Sequence, residues 1–253
     1  MDFIPFKKKN LSDEVKSYLY EYIKKMDIKF NTKLPSEDSI AQSLGVSRVT
    51  VRKALTDLEQ EGIIFRIHGK GTFVNPEALQ MNVNIALGTE FEQMIIDSGY
   101  KANVEMVNFE VKPAGYKVAD KLQIKDDDMI AVVEKIFYAD EHPAIYCIDM
   151  FPIDIIGGQV TDQEAKLSIF DLLRKKAGKI VTWDKIELRV STKEQISSKY
   201  DYINYMANDV FLVIETINYD QDNNPVLYDI EFHDTNYIRF NTIRQKNIKF
   251  KDY

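Results

Sequence analysis

The chain reads as an α+β protein in two parts: an N-terminal winged helix-turn-helix, then a larger α+β domain on an antiparallel sheet. Three observations carry that reading. Between Lys33 and Val74, two short amphipathic helix patterns meet at Gly45 and are succeeded by a Gly-rich hairpin signal, His68-Gly69-Lys70-Gly71. From Ile85 onward the composition turns to aromatic and β-branched runs with alternating apolar positions, the mark of strands. Charge divides nearby. Residues 1–75 hold 13 Lys and Arg against 10 Asp and Glu, a net +3, whereas residues 76–253 hold 20 against 30, a net −10. A mildly basic head on an acidic body is expected when one domain alone approaches phosphate.

Taken in order, Leu11, Val15, Leu19 and Ile23 recur at four-residue spacing and predict a first helix over 11–26, with Ser12 or Asp13 near its start. It serves as scaffold, and Lys7 to Lys9 before it read as a solvated basic tail. Pro35 biases Leu34 away from helix, and Ser36 offers a side-chain oxygen to cap the helix that begins after it. Ile40, Ala41 and Leu44 give that short helix one apolar face. Gly45 breaks it and Ser47 caps the next. In the second helix Val51, Ala54, Leu55 and Leu58 share a face, which leaves Arg48, Thr50, Arg52 and Lys53 pointing elsewhere until Gly62 stops the run. So tight a pair matches a helix-turn-helix, whose second helix enters the major groove. Ile63–Ile67 and Thr72–Val74 read as two strands of a wing, with His68, Gly69 and Lys70 at its tip. The candidate DNA contacts are therefore Ser36, Arg48, Thr50, Arg52, Lys53, His68, Gly69 and Lys70.

These residues carry a family resemblance. Lys33 to Val74 resembles the DNA-binding domain of the GntR family of bacterial transcriptional regulators. The resemblance implies DNA contacts at Arg48, Thr50 and Arg52 on the recognition helix and at His68 and Gly69 on the wing. One position departs: the family commonly has Arg after the Ser-Glu pair, and this chain has Asp38. An acid cannot make the phosphate or guanine contact expected there.

Pro76 ends the wing, and residues 76–84 are expected as a linker between a DNA-binding domain at 1–75 and a second domain at 85–245. In that domain the patterns predict a helix over Thr89–Asp97, a strand over Val104–Val111, a helix over Ala114–Lys121, and paired strands at Ile130–Tyr138 and Ala144–Phe151. Next come a helix at Ile169–Lys176, a strand at Val181–Val190, a helical pattern over Thr192–Met206, and a last hairpin of Val210–Tyr219 with Val226–Asp234. This half resembles the effector-binding UTRA domain of the HutC subgroup, with its chorismate-lyase-like fold. The likeness rests on element order, on Thr89 and Phe91, on the Asp140 to Pro143 turn, on Ser168-Ile169-Phe170-Asp171 and on Tyr237-Ile238-Arg239-Phe240. It implies a ligand-responsive repressor, a homodimer on a two-fold operator; composition, with no membrane or signal pattern, makes the cytoplasm the simplest location.

The resemblance also bears on the ligand. Sugar-phosphate sensors of this type carry Arg residues and a Glu where this chain has Lys135, Phe137 and Cys147, and an Arg-rich run where it has Asp234-Thr235-Asn236-Tyr237. Most of a cationic phosphate clamp is thus missing. The effector, a sugar, sugar phosphate or other metabolite, has candidate contacts at Thr89, Phe91, Lys135, Phe137, Tyr146, Asp149, Ser168, Tyr228, Glu231 and Asp234. An uncharged, aromatic or partly cationic ligand fits the aromatics and carboxylates among them.

Other classes find little support. No apolar run reaches the ~18 residues that span a membrane, and the N-terminus lacks an apolar signal core. One cysteine, Cys147, excludes an internal disulfide, and three unpaired histidines imply no metal or cofactor. No catalytic constellation is visible. A ligand-independent architectural DNA-binding dimer and a lyase-like enzyme remain the alternatives.

Overall fold

The computed structural model describes residues 11–29, 32–80, 83–85, 88–157, 164 and 168–243. The chain divides into two compact units, Met1–Gly88 with Asn241–Tyr253, and Thr89–Phe240. The basic Lys7–Lys9 tail lies outside the described residues.

The first unit holds helices α1 (Leu11–Lys24), α2 (Glu37–Leu44) and α3 (Arg48–Gln60), then strands β1 (Ile64–Ile67) and β2 (Gly71–Val74). Each boundary has a local cause. Ser36 Oγ accepts the Ser39 amide at 3.2 Å and Ser47 Oγ accepts that of Thr50 at 3.1 Å, each satisfying a helix-start donor. Gly45 ends α2 at φ +65°, with its N–H directed to the Ala41 and Gln42 carbonyls. Val15, Leu19, Ile23, Ile40, Val51, Ala54, Leu55, Leu58, Ile64 and Val74 close one core. Lys16 pairs with Glu61 across α1 and the end of α3. The wing pairs antiparallel from Ile64 opposite Val74 to Ile67 opposite Gly71. Its base is tied by the Leu34 amide, which donates to the Thr72 carbonyl at 2.9 Å.

Residues 76–84, expected as a linker, carry a 3-10 turn at Ala78–Gln80 and a two-residue strand, β3 (Val83–Asn84). Ala78 and Val83 are buried. Ile85 donates its amide to the Asn241 carbonyl at 3.0 Å, and Ile243 lies so near Gly62 that a Cβ there would meet it at 2.8 Å.

The second unit is one six-stranded antiparallel sheet. Its strands are β4 (Ala102–Pro113), β5 (Met129–Ala139), β6 (His142–Pro152), β7 (Val181–Thr192), β8 (Val210–Asp220) and β9 (Pro225–His233), in the order β4-β5-β6-β9-β8-β7. Among the described residues its helices include α4 (Phe91–Asp97), α5 (Gly115–Leu122), α6 (Ile169–Ala177) and the single turn α7 (Lys193–Ile196). Strand side chains alternate between faces, so each face has its own core. Ile136, Tyr146, Ile148, Phe211, Val213, Tyr228, Ile230 and Phe232 pack on one side with Leu122, Ile196, Tyr200 and Ile203. Ala131, Val133, Phe151 and Leu227 pack on the other with Ile153, Ile169, Leu172 and Leu173.

One expectation is corrected. The helical pattern over Thr192–Met206 resolves into α7 and a 3-10 stretch at Asp201–Tyr205, with Tyr200 extended between them at φ −129°. Ile196, Tyr200, Ile203 and Met206 mimic a helical repeat, yet burying all four in the core beneath the sheet requires the chain to bend. Tertiary packing overrides the local period. Among the described residues no helix is long and apolar enough to cross a membrane.

The β8–β9 turn depends on Asp220. Its Oδ1 accepts the amides of Asp222 and Asn224, each at 2.9 Å, and its Oδ2 accepts Lys179 Nζ at 2.7 Å. Although burial of the carboxyl opposes ionisation, these donors hold its pKa at about 2. Because the folded value lies below the unfolded one, the contribution is complete above the ordinary Asp range and is lost as pH falls toward 2, about 2 kcal/mol in all. Urea titrations should show this loss between roughly pH 4 and 2 in the native protein, with the Asp220→Ala variant flatter there and weaker by a similar amount at pH 7.

Candidate functional site

The helix-turn-helix places Arg48 and Arg52 one turn apart on the exposed side of α3, both over half exposed. Between them sits Glu37, the first residue of α2. It accepts Arg48 Nε at 3.2 Å and Arg52 through Nε at 3.1 Å and Nη2 at 3.0 Å. Arg52, then Arg48, hold the Glu37 carboxyl below its usual range despite some burial. Arg66 of β1 approaches Glu37 at 4.0 Å and bonds Glu59 at 2.6 Å. Asp38 pairs with Arg48, its Oδ1 3.3 Å from Nη1, so the residue that departs from the family pattern faces α3 itself. Thr50 Oγ1 is engaged with Ser47 Oγ at 2.8 Å, and Ser36 is occupied as the α2 cap. Lys53, His68, Gly69 and Lys70 are exposed, and Gly69 turns the wing tip at φ +71°. Val49 stands 79% exposed on the same end of α3, an apolar side chain with no packing reason to be there.

In the second unit a polar cluster lies on one sheet face, assembled by register. Lys135 pairs with Cys147, which pairs with Glu231; one step along, Val133 pairs with Asp149, which pairs with Asp229, opposite Thr216. All these polar side chains are buried. Asn218 donates to Asp229 Oδ1 at 2.6 Å, and Thr216 donates to Glu231 at 3.4 Å. His233 Nε2 and Glu231 share a 2.6 Å bond. Burial raises the pKa of Asp149, and Glu231 and Glu90 add to it while Lys135 opposes. Burial with Glu231 and Asp149 nearby pushes Asp229 up further, and the Cys147 thiol is raised for the same reasons.

Around the cluster stand Phe91 of α4, edge-on to Phe137 at 5.0 Å and to His233 at 5.9 Å, and Glu90, which accepts Ser168 Oγ at 2.9 Å. Val104, Glu105, Met106 and Lys135 line a cavity of about 320 Å³ beside it.

The expected effector residues are thus only partly assembled. Phe91, Lys135, Phe137, Asp149, Ser168 and Glu231 surround the cluster, and Thr89 leads into α4 beside it. Tyr146 and Tyr228 do not join them. They lie on the opposite face, where Tyr146 stacks on Phe232 at 5.6 Å with its hydroxyl on Glu134, and Tyr228 donates to Glu215 at 2.8 Å. The reason is the two-residue pleat: on β6 and β9 the even-numbered positions face away from Asp149 and Glu231. Asp234 comes just after β9 and braces a turn, accepting Asn208 Nδ2 at 3.0 Å and the Asn236 amide at 2.9 Å. The same alternation signals two residues absent from the expected set, Asp229 and His233, in phase with Glu231. Glu37 and Val49 have no comparable signal; only the folded turn shows what they face.

A three-helix head with a wing and exposed arginines, in a chain whose second unit buries polar groups beside a cavity, defines a class: a DNA-binding protein with an attached sensing domain. Residues 11–74 match the bacterial regulatory proteins of the gntR family, and residues 97–239 match the UTRA domain. The chain belongs to the gntR family, in its UTRA-bearing branch, and is a DNA-binding transcriptional regulator. It is 27% identical over 227 residues, 90% of this chain and 92% of the relative, to the HTH-type transcriptional regulator YurK of Bacillus subtilis. Over 135 residues, 53% of this chain and 55% of the other, it is 33% identical to the mannosyl-D-glycerate transport/metabolism system repressor MngR of Escherichia coli. The crystal structure of YydK from Bacillus subtilis shares the fold, with a TM-score of 0.70 at 20% identity over 94% of this chain and 99% of that one.

The face assignment has a direct check. Tyr228→Phe deletes a donor on the core face and should lower stability by about 1 kcal/mol in denaturant titration. The response of operator binding to effector should not change.

Proposed function

We propose that the protein is a repressor that binds a two-fold operator as a homodimer and is released when a metabolite occupies the polar sheet face of its second unit. The carrying observation is the buried cluster of Lys135, Asp149, Asp229, Glu231 and His233 beside a cavity, in a unit separate from the DNA-binding head. A packed core has no use for so many polar groups, since each costs desolvation unless it is well paired. Convergent polar groups with perturbed pKa values beside a cavity are the usual form of a ligand site. Ligand binding there shifts the dimer population toward a head spacing that no longer fits the operator. The protein then works in the cytoplasm, beside the chromosome.

On the DNA side, Glu37 holds Arg48 and Arg52 before DNA arrives, so less side-chain freedom is lost when a guanidinium meets guanine O6 and N7. On this reading Val49, exposed on α3, touches a thymine methyl and Lys70 at the wing tip meets phosphate.

For the dimer, edge strand β7 supports one arrangement. Ile186, Leu188 and Val190 are 38%, 52% and 67% exposed along one of its faces, an unblunted edge of the kind that pairs with another strand. Antiparallel pairing with a second copy about Leu188 sets Ile186 against the partner's Val190 and Glu187 against the partner's Arg189. Leu188→Glu should then sediment as a monomer where the native chain sediments as a dimer.

The central test is fluorescence anisotropy at fixed salt on duplex from upstream of the protein's own gene, with metabolite extract added. Release of bound DNA is expected; operator affinity unchanged by every extract would rule the mechanism out. On the same duplex Arg48→Ala should cost about 1–3 kcal/mol of specific binding and leave random DNA nearly unaffected. Lys70→Ala should weaken both alike and reduce the salt slope by about 1.

A further inference from the structure

We infer that the molecule sensed on this face carries a primary or secondary amine, protonated when bound, and no phosphate, with Asp149, Asp229 and Glu231 as its anionic seat. The inference rests on the sensor reading above and deepens it. Register brings the three carboxylates together on the adjacent strands β6 and β9, with Asp149 directly opposite Asp229. They are 6%, 5% and 8% exposed, so water screens them little. Two further carboxylates are coupled to the group from neighbouring elements: Glu90, just before α4, acts on Asp149, and Glu231 in turn acts on Asp184 of β7. Against five acids, Lys135 is the one cation on this face of the described strands.

A second observation is independent of charge. His233 has no exposed surface, and while its Nε2 engages Glu231, its Nδ1 has no hydrogen-bond partner. A buried polar atom left unmatched in a native structure calls for a partner that the chain does not supply. The imidazole that carries it joins the cluster through Glu231 and meets the rings of Phe91 and Phe240 edge-on. A metal ion does not meet the need: among the described residues no three His, Cys, Asp or Glu side chains are grouped to hold one. An ammonium group does, because it is a compact charge with several donors, each of which can meet a carboxylate oxygen. A neighbouring hydroxyl on the same molecule would satisfy His233 Nδ1. Phe91 and Phe137 offer ring faces and edges beside it, favourable to a cation or to the apolar face of a small ring. The cavity of about 320 Å³, at the small end of ligand pockets, meets the group at Lys135 and carries a further carboxylate, Glu105, in its lining. A phosphate dianion brought to the same seat would face five acids with one lysine to offset them.

Chemical editing of the metabolite extract tests the inference on the full-length native protein. The extract is used untreated, after mild N-acetylation with excess anhydride quenched, and after alkaline phosphatase, and each form is titrated into the operator complex by anisotropy. The expected result is release by the untreated and phosphatase-treated extracts and at least a tenfold loss of potency after acetylation. Release that survives acetylation, or is abolished by phosphatase, overturns the amine assignment and leaves the sensor reading standing. No release by untreated extract overturns the sensor reading itself, and the inference with it. Glu231→Gln, checked for native melting and operator affinity, should need at least tenfold more untreated extract; an unchanged requirement would also overturn the assignment.

Discussion

The register of β5, β6 and β9 is the constraint on which the second unit depends. Once Lys135 lies opposite Cys147 and Cys147 opposite Glu231, the pleat dictates every neighbouring side chain's face. Tyr146, Tyr228 and Phe232 go to a packed apolar core, each large ring contributing on the order of 1.5–3 kcal/mol by burial. Asp149, Asp229, Glu231 and His233 go to the other side. A slip of one residue would put the acids into the main core and the aromatics on the polar face, so stability and the polar site are set by one register. That face is divided along the strands: toward Ala131 and Phe151 it is an ordinary apolar core under α6, and around Lys135 and Glu231 it is polar.

The head obeys a different logic. Its fold needs only short-range signals, with side-chain caps at Ser36 and Ser47, a left-handed Gly45, and three apolar stripes that meet. Function is added on the outside, where side chains are exposed and individually worth little to stability. Glu37 is the organising residue there, since one carboxylate at a helix start orients two guanidiniums from the next helix. Asp38 adds a second acid to Arg48. The exposed edge of α3 is therefore less positive than its arginines alone suggest.

Legibility differed between the two units for the same physical reason. The helix-turn-helix and wing are built from contacts a few residues apart, so the caps, glycines and periodicity in Lys33 to Val74 carry nearly all of the information. The strands were legible as strands, but the face of each depends on partners up to about a hundred residues away. Tyr146 and Tyr228 show the limit. Both are aromatic residues in the right strands, and both point away from the acids because of parity. The Thr192–Met206 region shows another, where a helical spacing of apolar residues is satisfied by a bent path under the sheet.

What the sequence determined by itself was the order and type of the elements, the basic head on an acidic body, and the winged helix-turn-helix at its start. Those arise from local backbone preference and charge, which act along the chain. The tertiary structure alone decided that Asp149, Asp229, Glu231 and His233 form one buried group beside a cavity, that Glu37 grips Arg48 and Arg52, and that the apolar edge of β7 stands open. Each of those depends on cross-strand pairing or on the angle between two helices, and such long-range geometry has no signature in the spacing of residues along one strand or helix.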